Sequence, residues 1–158
     1  GAGVSRVAEA MRNASCPAFF IDDGGDLWME GRKPDGRPWR VMVRDPRTQG
    51  ALAMIESFLP MAISTSGDSE RFVEVEGKRI NHIFDPRTGH CAQYYRSVTV
   101  IASDPVRADI WSTTLFAMSP DRARVWAEAR SIPVLFLPAS GTTWLTNAGE
   151  GWFKDLAP

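Results

Sequence analysis

Turn residues restrict the fold of this chain more than any other feature. Asp23-Gly24-Gly25, Pro34-Asp35-Gly36 and Glu76-Gly77 cut the stretch from residue 18 to residue 84 into pieces too short for stable helices. Residues 18–22 and 26–30 flank the first turn and 39–44 follows the second, so the three read as consecutive strands of a meander. After a polar connection, 61–65 reads as a further strand, and 72–75 with 78–84 as a hairpin around Glu76-Gly77 that enlarges the sheet. Connections this short cannot carry a parallel crossover, so the pairing is expected to be mostly antiparallel.

Helices enter at the ends of this region. Val4, Val7, Ala8 and Met11 share one face at helical spacing, and Asn13 with Pro17 closes that segment. Residues 97–102 alternate as a strand buried on at least one face. A helix follows from Pro105, with Ile110, Thr113, Thr114 and Ala117 at helical spacing. Ser119 is placed to cap a further helix over 122–130, and 134–137 with 143–146 closes the chain as a hairpin around Ser140-Gly141. The chain has 158 residues, 44% of them apolar, with no internal repeat and no low-complexity linker. The expected fold is one α+β domain, a mostly antiparallel sheet with helices packed on it.

Charge and cysteine content narrow the function classes. Eighteen basic residues against nineteen acidic ones, with no block of either sign, leave no footprint for nucleic acid. The longest apolar run, near residues 132–137, is interrupted by Pro133 and Pro138 and falls short of a membrane span. Cys16 and Cys91 are too few and too far apart for a zinc cage or a C-x-x-C redox pair.

Some segments have the makings of chemistry. Asp109 and Thr113 stand four apart on the helix from Pro105, which stacks their side-chain oxygens on one face. Two hard oxygens so placed suit Mg²⁺ or Ca²⁺, and they equally suit a surface helix whose threonine bonds back to a carbonyl. His82-Ile83-Phe84-Asp85-Pro86-Arg87-Thr88-Gly89 puts a base, a carboxylate, a guanidinium and a hydroxyl on one strand end and turn. The plainer reading is that Asp85 caps the turn and pairs with Arg87. Asp45-Pro46-Arg47-Thr48 repeats the tetrapeptide without the histidine or glycine and reads as a strand exit. Ser64-Thr65-Ser66-Gly67-Asp68 follows a strand and offers backbone N–H groups and hydroxyls for a phosphate or a flavin edge, as a backbone nest would. Gly24-Gly25 allows close approach of backbone to a ligand, or simply makes a turn. Of six tryptophans, most belong to packing, and Trp111 lies beside the Asp109–Thr113 pair.

Taken in order, these segments resemble the ApbE family, the FAD:protein FMN transferases formerly called thiamine biosynthesis lipoproteins. Residues 1–6 look like the stretch after the lysine of a K-G-Y-A-V-D-R pattern, and 22–26 like an N-x-G-G-D turn. Ser64-Thr65-Ser66-Gly67-Asp68-Ser69-Glu70-Arg71 is similar to T-S-G-D-Y-E-R, and residues 82–89 to H-I-x-D-P-R-T-G. Ala108-Asp109-Ile110-Trp111-Ser112-Thr113-Thr114-Leu115-Phe116 resembles A-D-A-L-A-T-A-L-F. Departures are Ala2 for an aromatic residue, Ser5 for Asp, Asp22 for Asn, Ser69 for Tyr and Asn81 for the first His of a His-His pair.

The resemblance implies an ApbE-like, T-fold-related architecture, with residues 1–158 as its C-terminal lobe. The family's lysine and a metal-holding carbonyl would lie on an N-terminal segment, a separate or cleaved partner chain. It implies Mg²⁺-dependent transfer of FMN from FAD to a Thr or Ser hydroxyl of an acceptor flavoprotein, releasing AMP. Asp109 and Thr113 would hold the metal. His82 would act as general base, Asp85 would orient it or hold the turn, and Arg87 would meet a phosphate. Gly1, Gly24, Gly25, Ser66, Gly67, Asp68 and Thr88 would contact FAD. A periplasmic or membrane-anchored location facing the periplasm comes with the family. The alternative is an altered ApbE-like module that binds a metal and a flavin or other nucleotide-like ligand without transferring FMN.

Overall fold

Gly24 and Gly25 make the first hairpin possible. Both have positive φ, 59° and 108°, the left-handed region that a tight two-residue loop requires and that a Cβ disfavours. Asp23 thereby comes to face Asp26 across the strand pair. The computed structural model describes residues 1–68, 72–75 and 77–156. Its elements are α1 (Ala2–Asn13), β1 (Phe19–Asp23), β2 (Asp26–Glu30), β3 (Trp39–Arg44), β4 (Ala51–Ser57), β5 (Met61–Gly67), β6 (Phe72–Val75), β7 (Lys78–Asn81), β8 (Phe84–Asp85), β9 (His90–Cys91), β10 (Tyr95–Ala102), α2 (Pro105–Ala117), α3 (Pro120–Glu128), β11 (Val134–Pro138) and β12 (Trp144–Leu145).

The main sheet has six strands in the order β1-β2-β5-β10-β11-β12, and every neighbouring pair is antiparallel. The period of two divides its side chains cleanly. Val98, Val100, Val134 and Phe136 face Leu115 and Phe116 of α2 and Ala123 and Ala127 of α3. Met29, Ile63, Ile101 and Leu135 face the other way, onto Val41, Val43 and Ile55 of β3 and β4. α1 joins the helical layer through Val4 and Ala8, which pack with Phe19, Trp28, Ala62 and Ala108. The α+β class with helices on an antiparallel sheet is therefore as the sequence indicates.

The meander is not. β3 does not extend the β1–β2 pair; it pairs with β4 as a separate ribbon laid over the sheet. The stretch taken as a polar connection contains β4, whose Leu52, Ala53 and Ile55 are buried. The free edge of β2 pairs instead with β5, with Asp26 opposite Ser64. β6 and β7 likewise form their own hairpin apart from the main sheet; Glu76, in its expected turn, lies outside the described residues.

Strand β7 ends at Asn81 rather than continuing to residue 84, for a local reason. The buried Asn81 side chain donates to the Ala92 carbonyl at 2.7 Å and accepts from the Ile83 N–H at 2.9 Å. Those bonds replace a ladder and turn the chain at His82. The helix starts are orthodox: Asp104 accepts from the Arg107 N–H at 2.9 Å and Pro105 occupies the first turn of α2. Ser119 does occupy the N-cap of α3, without a side-chain cap bond.

Candidate active site

Helix α2 buries one face and lends the other to a cleft. Pro105, Ala108, Ser112, Leu115 and Phe116 are the buried positions. Ile110, Thr113, Thr114 and Ala117, whose spacing marked the helix in the sequence, instead line a cleft of about 750 Å³ opposite the turn containing His82, Asp85 and Arg87. Ile110 is 56% exposed, so the stripe that marks the helix faces the cleft and not the core.

Beside the cleft is a smaller niche of about 150 Å³, bounded by Gly24, Gly25, Asp26, Ser64, Ser66 and Gly67. His82, Ile83, Asp109 and Thr113 line both spaces, so they form the threshold between them. The niche is built by strand periodicity. Asp26 on β2 and Ser64 and Ser66 on β5 share the helix-facing side of the sheet, under the first turns of α2.

Hydroxyl groups join the two layers. Ser64 Oγ donates to Asp26 Oδ1 at 2.5 Å and lies 3.1 Å from Ser112 Oγ. Ser112 Oγ is 2.9 Å from Ser66 Oγ and 3.1 Å from the Asp109 carbonyl oxygen. Ser66 Oγ is in turn 3.1 Å from Thr113 Oγ1. The Gly1 amino group pairs with Asp26 and lies 3.0 Å from Asp109 Oδ2. The hard oxygens of the niche, the Asp26 and Asp109 carboxylates and the Thr113 hydroxyl, suit a small divalent cation. Among the described residues no three His, Cys, Asp or Glu side chains cluster as a metal-binding group.

On the far wall, Asp85 is buried and both its oxygens are engaged by Arg87. Oδ1 accepts from the Arg87 N–H at 2.9 Å and from Nε at 3.3 Å, and Oδ2 accepts from Nη2 at 2.9 Å. These bonds, the side-chain ones first, hold the Asp85 carboxyl below the ordinary carboxylate range and raise Arg87.

Comparisons with known proteins bear on the family and the fold. The family model described as "ApbE family" matches residues 1–136. The chain belongs to the ApbE family. It is similar to the FAD:protein FMN transferase of Haemophilus influenzae, 31% identical over 159 residues, covering 99% of this chain and 46% of that protein. A protein of the same name from Escherichia coli K12 is 30% identical over 148 residues, covering 92% of this chain and 42% of its own length. Among solved structures, the ApbE protein of Thermotoga maritima superposes with a TM-score of 0.89 at 30% identity, covering 98% of this chain and 51% of that one. The flavinyl transferase ApbE of Pseudomonas stutzeri does so with a TM-score of 0.81 at 32% identity, covering 95% and 48%. This chain therefore spans about half the length of the ApbE proteins it matches.

Within this ApbE chain the expected site residues divide. Gly24, Gly25, Ser66, Gly67, His82, Asp109 and Thr113 line the niche, Gly1 abuts Asp109, and Asp85 and Arg87 line the cleft. Asp68 and Thr88 line neither. Asp68 pairs with Arg47, and Thr88 is an exposed turn residue whose Oγ1 accepts from the His90 N–H. Residues 64–67 are no backbone nest either: they lie within β5 and pair with β10, so they present side chains rather than N–H groups. Ser69 lies outside the described residues. Asp26 and Ser112 have no role in the sequence reading, and Ser64 enters it only as part of the supposed nest. The signal is available in the small residues at every second position, Ala62, Ser64 and Ser66, which mark a strand face that a helix approaches closely.

Proposed function

We propose that this chain is the C-terminal lobe of an FAD:protein FMN transferase, acting together with the rest of the family fold. One observation supports this most: His82, Asp109 and Thr113 stand at the threshold between an oxygen-lined niche and a larger cleft with apolar walls. That pairing suits a ligand with a charged pyrophosphate and a flat aromatic end.

In the proposed reaction the hydroxyl oxygen of an acceptor Thr or Ser attacks the FMN-side phosphorus of FAD. The new O–P bond forms as the bond to the AMP phosphate breaks, and AMP leaves with the bridging oxygen. His82 takes the hydroxyl proton. Asp109 and Thr113 would hold Mg²⁺, which supplies neutralisation of the charge on the pyrophosphate. Arg87 keeps Asp85 and the turn in place and offers its remaining donors to a phosphate oxygen. Asp85 holds the turn through its bonds to Arg87. The proposal carries the acceptor flavoprotein as partner and a periplasmic or membrane-anchored location, which fractionation of source cells would test.

The decisive assay supplies FAD, Mg²⁺ and a threonine-bearing acceptor peptide to the assembly containing the whole family fold. Covalent FMN fluorescence on the peptide together with released AMP is the expected result. Stoichiometric retention of flavin with an unmodified peptide would instead make this an ApbE-like binding module.

A further inference from the structure

The hydroxyls beneath α2 have a direction. Ser64, Ser66, Ser112 and Thr113 each have one hydroxyl hydrogen, whereas the Asp26 carboxylate and the Asp109 carbonyl only accept. Ser64 spends its hydrogen on Asp26 Oδ1 at 2.5 Å. Ser112 has two neighbours that need a hydrogen from it, Ser64 Oγ and the Asp109 carbonyl oxygen, both at 3.1 Å. Whichever it serves, nothing is left for Ser66, so across the 2.9 Å contact Ser66 donates to Ser112. Ser66 is then spent as well, and across the 3.1 Å contact Thr113 donates to Ser66. The reverse order, Ser112 to Ser66 to Thr113, leaves both contacts of Ser112 at 3.1 Å without a hydrogen between the oxygens. The forward order leaves only one.

We propose that Ser112 and Ser66 are positioning residues that draw the Thr113 hydroxyl hydrogen into the sheet, so that Thr113 Oγ1 presents lone pairs to a divalent cation in the niche. This rests on the reading of Asp109 and Thr113 as the metal's protein ligands. A hydroxyl whose hydrogen pointed into the niche would repel the cation it is meant to bind; one anchored from behind is preorganised for it. Ser112 is fully buried and Ser66 nearly so, which keeps water from replacing either link. Ser112 also sits in a helix, where alanine is the better helix former, so removing its hydroxyl leaves the backbone of α2 supported.

The test is Mn²⁺ titration, with free Mn²⁺ read by electron paramagnetic resonance, on the full chain and its variants Ser112→Ala, Thr113→Val, Asp109→Ala and the Ser112→Ala/Thr113→Val double. Ser112→Ala is expected to weaken Mn²⁺ binding about 10-fold, the size typical of a partner behind a metal ligand. Because the effect passes through Thr113, the double variant should bind no more weakly than Thr113→Val alone, whereas a general loosening of the niche would multiply the two losses. Ser66→Ala, which removes the acceptor from the strand side, should reproduce the loss and serves if Ser112→Ala does not fold. Affinity within twofold of wild type in the serine variants, or multiplied losses in the double, overturns the inference, and leaves the metal reading intact if Asp109→Ala still abolishes binding. Failure of the wild type to bind Mn²⁺ overturns both together.

Discussion

Arg87 folds back onto Asp85, reaching one carboxylate oxygen through its backbone N–H and the other through Nη2, each at 2.9 Å. The same turn is built at Asp45, whose Oδ1 accepts from the Arg47 N–H at 2.8 Å and whose carbonyl accepts from the Gln49 N–H at 2.8 Å. At Asp85 the matching carbonyl bond comes from Gly89 at 2.9 Å. The tetrapeptide Asp-Pro-Arg-Thr therefore encodes a turn, and only the destination of the arginine differs. Arg47 reaches away to Asp68, whereas Arg87 stays home and lines the cleft.

Acid should loosen this wall of the cleft. The Asp85 carboxyl titrates lower in the folded chain than in the unfolded one, so the folded state binds fewer protons there. Its contribution to stability is full above the ordinary aspartate value of about 3.9 and is lost as pH falls through the lower folded value. Urea unfolding of wild type and Asp85→Asn at a series of pH values checks it. The wild-type advantage should be constant near neutrality and vanish at the acid end, and an advantage that grows with acid would contradict the ion-pair account.

Divalent binding should depend on Asp109 before any other side chain, since it is the carboxylate that lines both the niche and the cleft. Calorimetric titration with Mg²⁺ is expected to show affinity in the wild type and at least about 10-fold less in Asp109→Ala. Equal affinities would remove the site.

Transfer of FMN should fall by roughly 10²- to 10⁴-fold in His82→Ala, the usual cost of losing a general base. Flavin retention should persist, because the walls of the cleft stay in place. Cys16→Ala and Cys91→Ala should transfer at close to the wild-type rate. A cysteine variant that loses as much as His82→Ala would refute the assignment of the base.

Gly1 and Gly3 should answer differently to alanine. A Cβ at Gly1 would lie 2.7 Å from Asp109 Oδ2 and 2.9 Å from the Pro105 carbonyl oxygen, whereas one at Gly3 would meet only Asp23 Oδ2, at 3.6 Å. Gly1→Ala is expected to push α1 from α2, shift Asp109 and lower both the melting temperature and Mg²⁺ affinity. Gly3→Ala should leave both unchanged. Identical behaviour of the two variants would show that α1 does not bear on Asp109.

Local rules made the hairpin at Gly24-Gly25, the start of α2 at Pro105 and the turn at Asp85 legible in the sequence, because each is decided by a few adjacent residues. The partner of β2 was not legible. Any extended run can pair with β2, and burial of Val41 and Val43 against the opposite face of the sheet removed β3 from contention. The residues beneath the site were hidden for a related reason. Ser64 and Ser112 are 48 positions apart and meet only because α2 lays its buried face on β5. Motif matching picked out His82, Asp109 and Thr113 on the threshold, since those lie in contiguous blocks, and gave no role to Asp26 and Ser112 behind them.

Helix α2 rests on unlike supports along its length, beginning with Ala108, which packs against Val4, Ala8, Trp28 and Ala62. Near Ser112 it is held to the sheet by hydroxyl contacts, while Leu115 and Phe116 clamp its far end into apolar side chains of β10 and β11. Between these apolar anchors the polar-footed segment bears Asp109 and Thr113 at the niche. Enlarging a serine beneath that segment is expected to push it off the sheet and widen the niche while both apolar anchors stay in place. The grip on a ligand can therefore be retuned, by selection or by design, one small side chain at a time while the fold is kept.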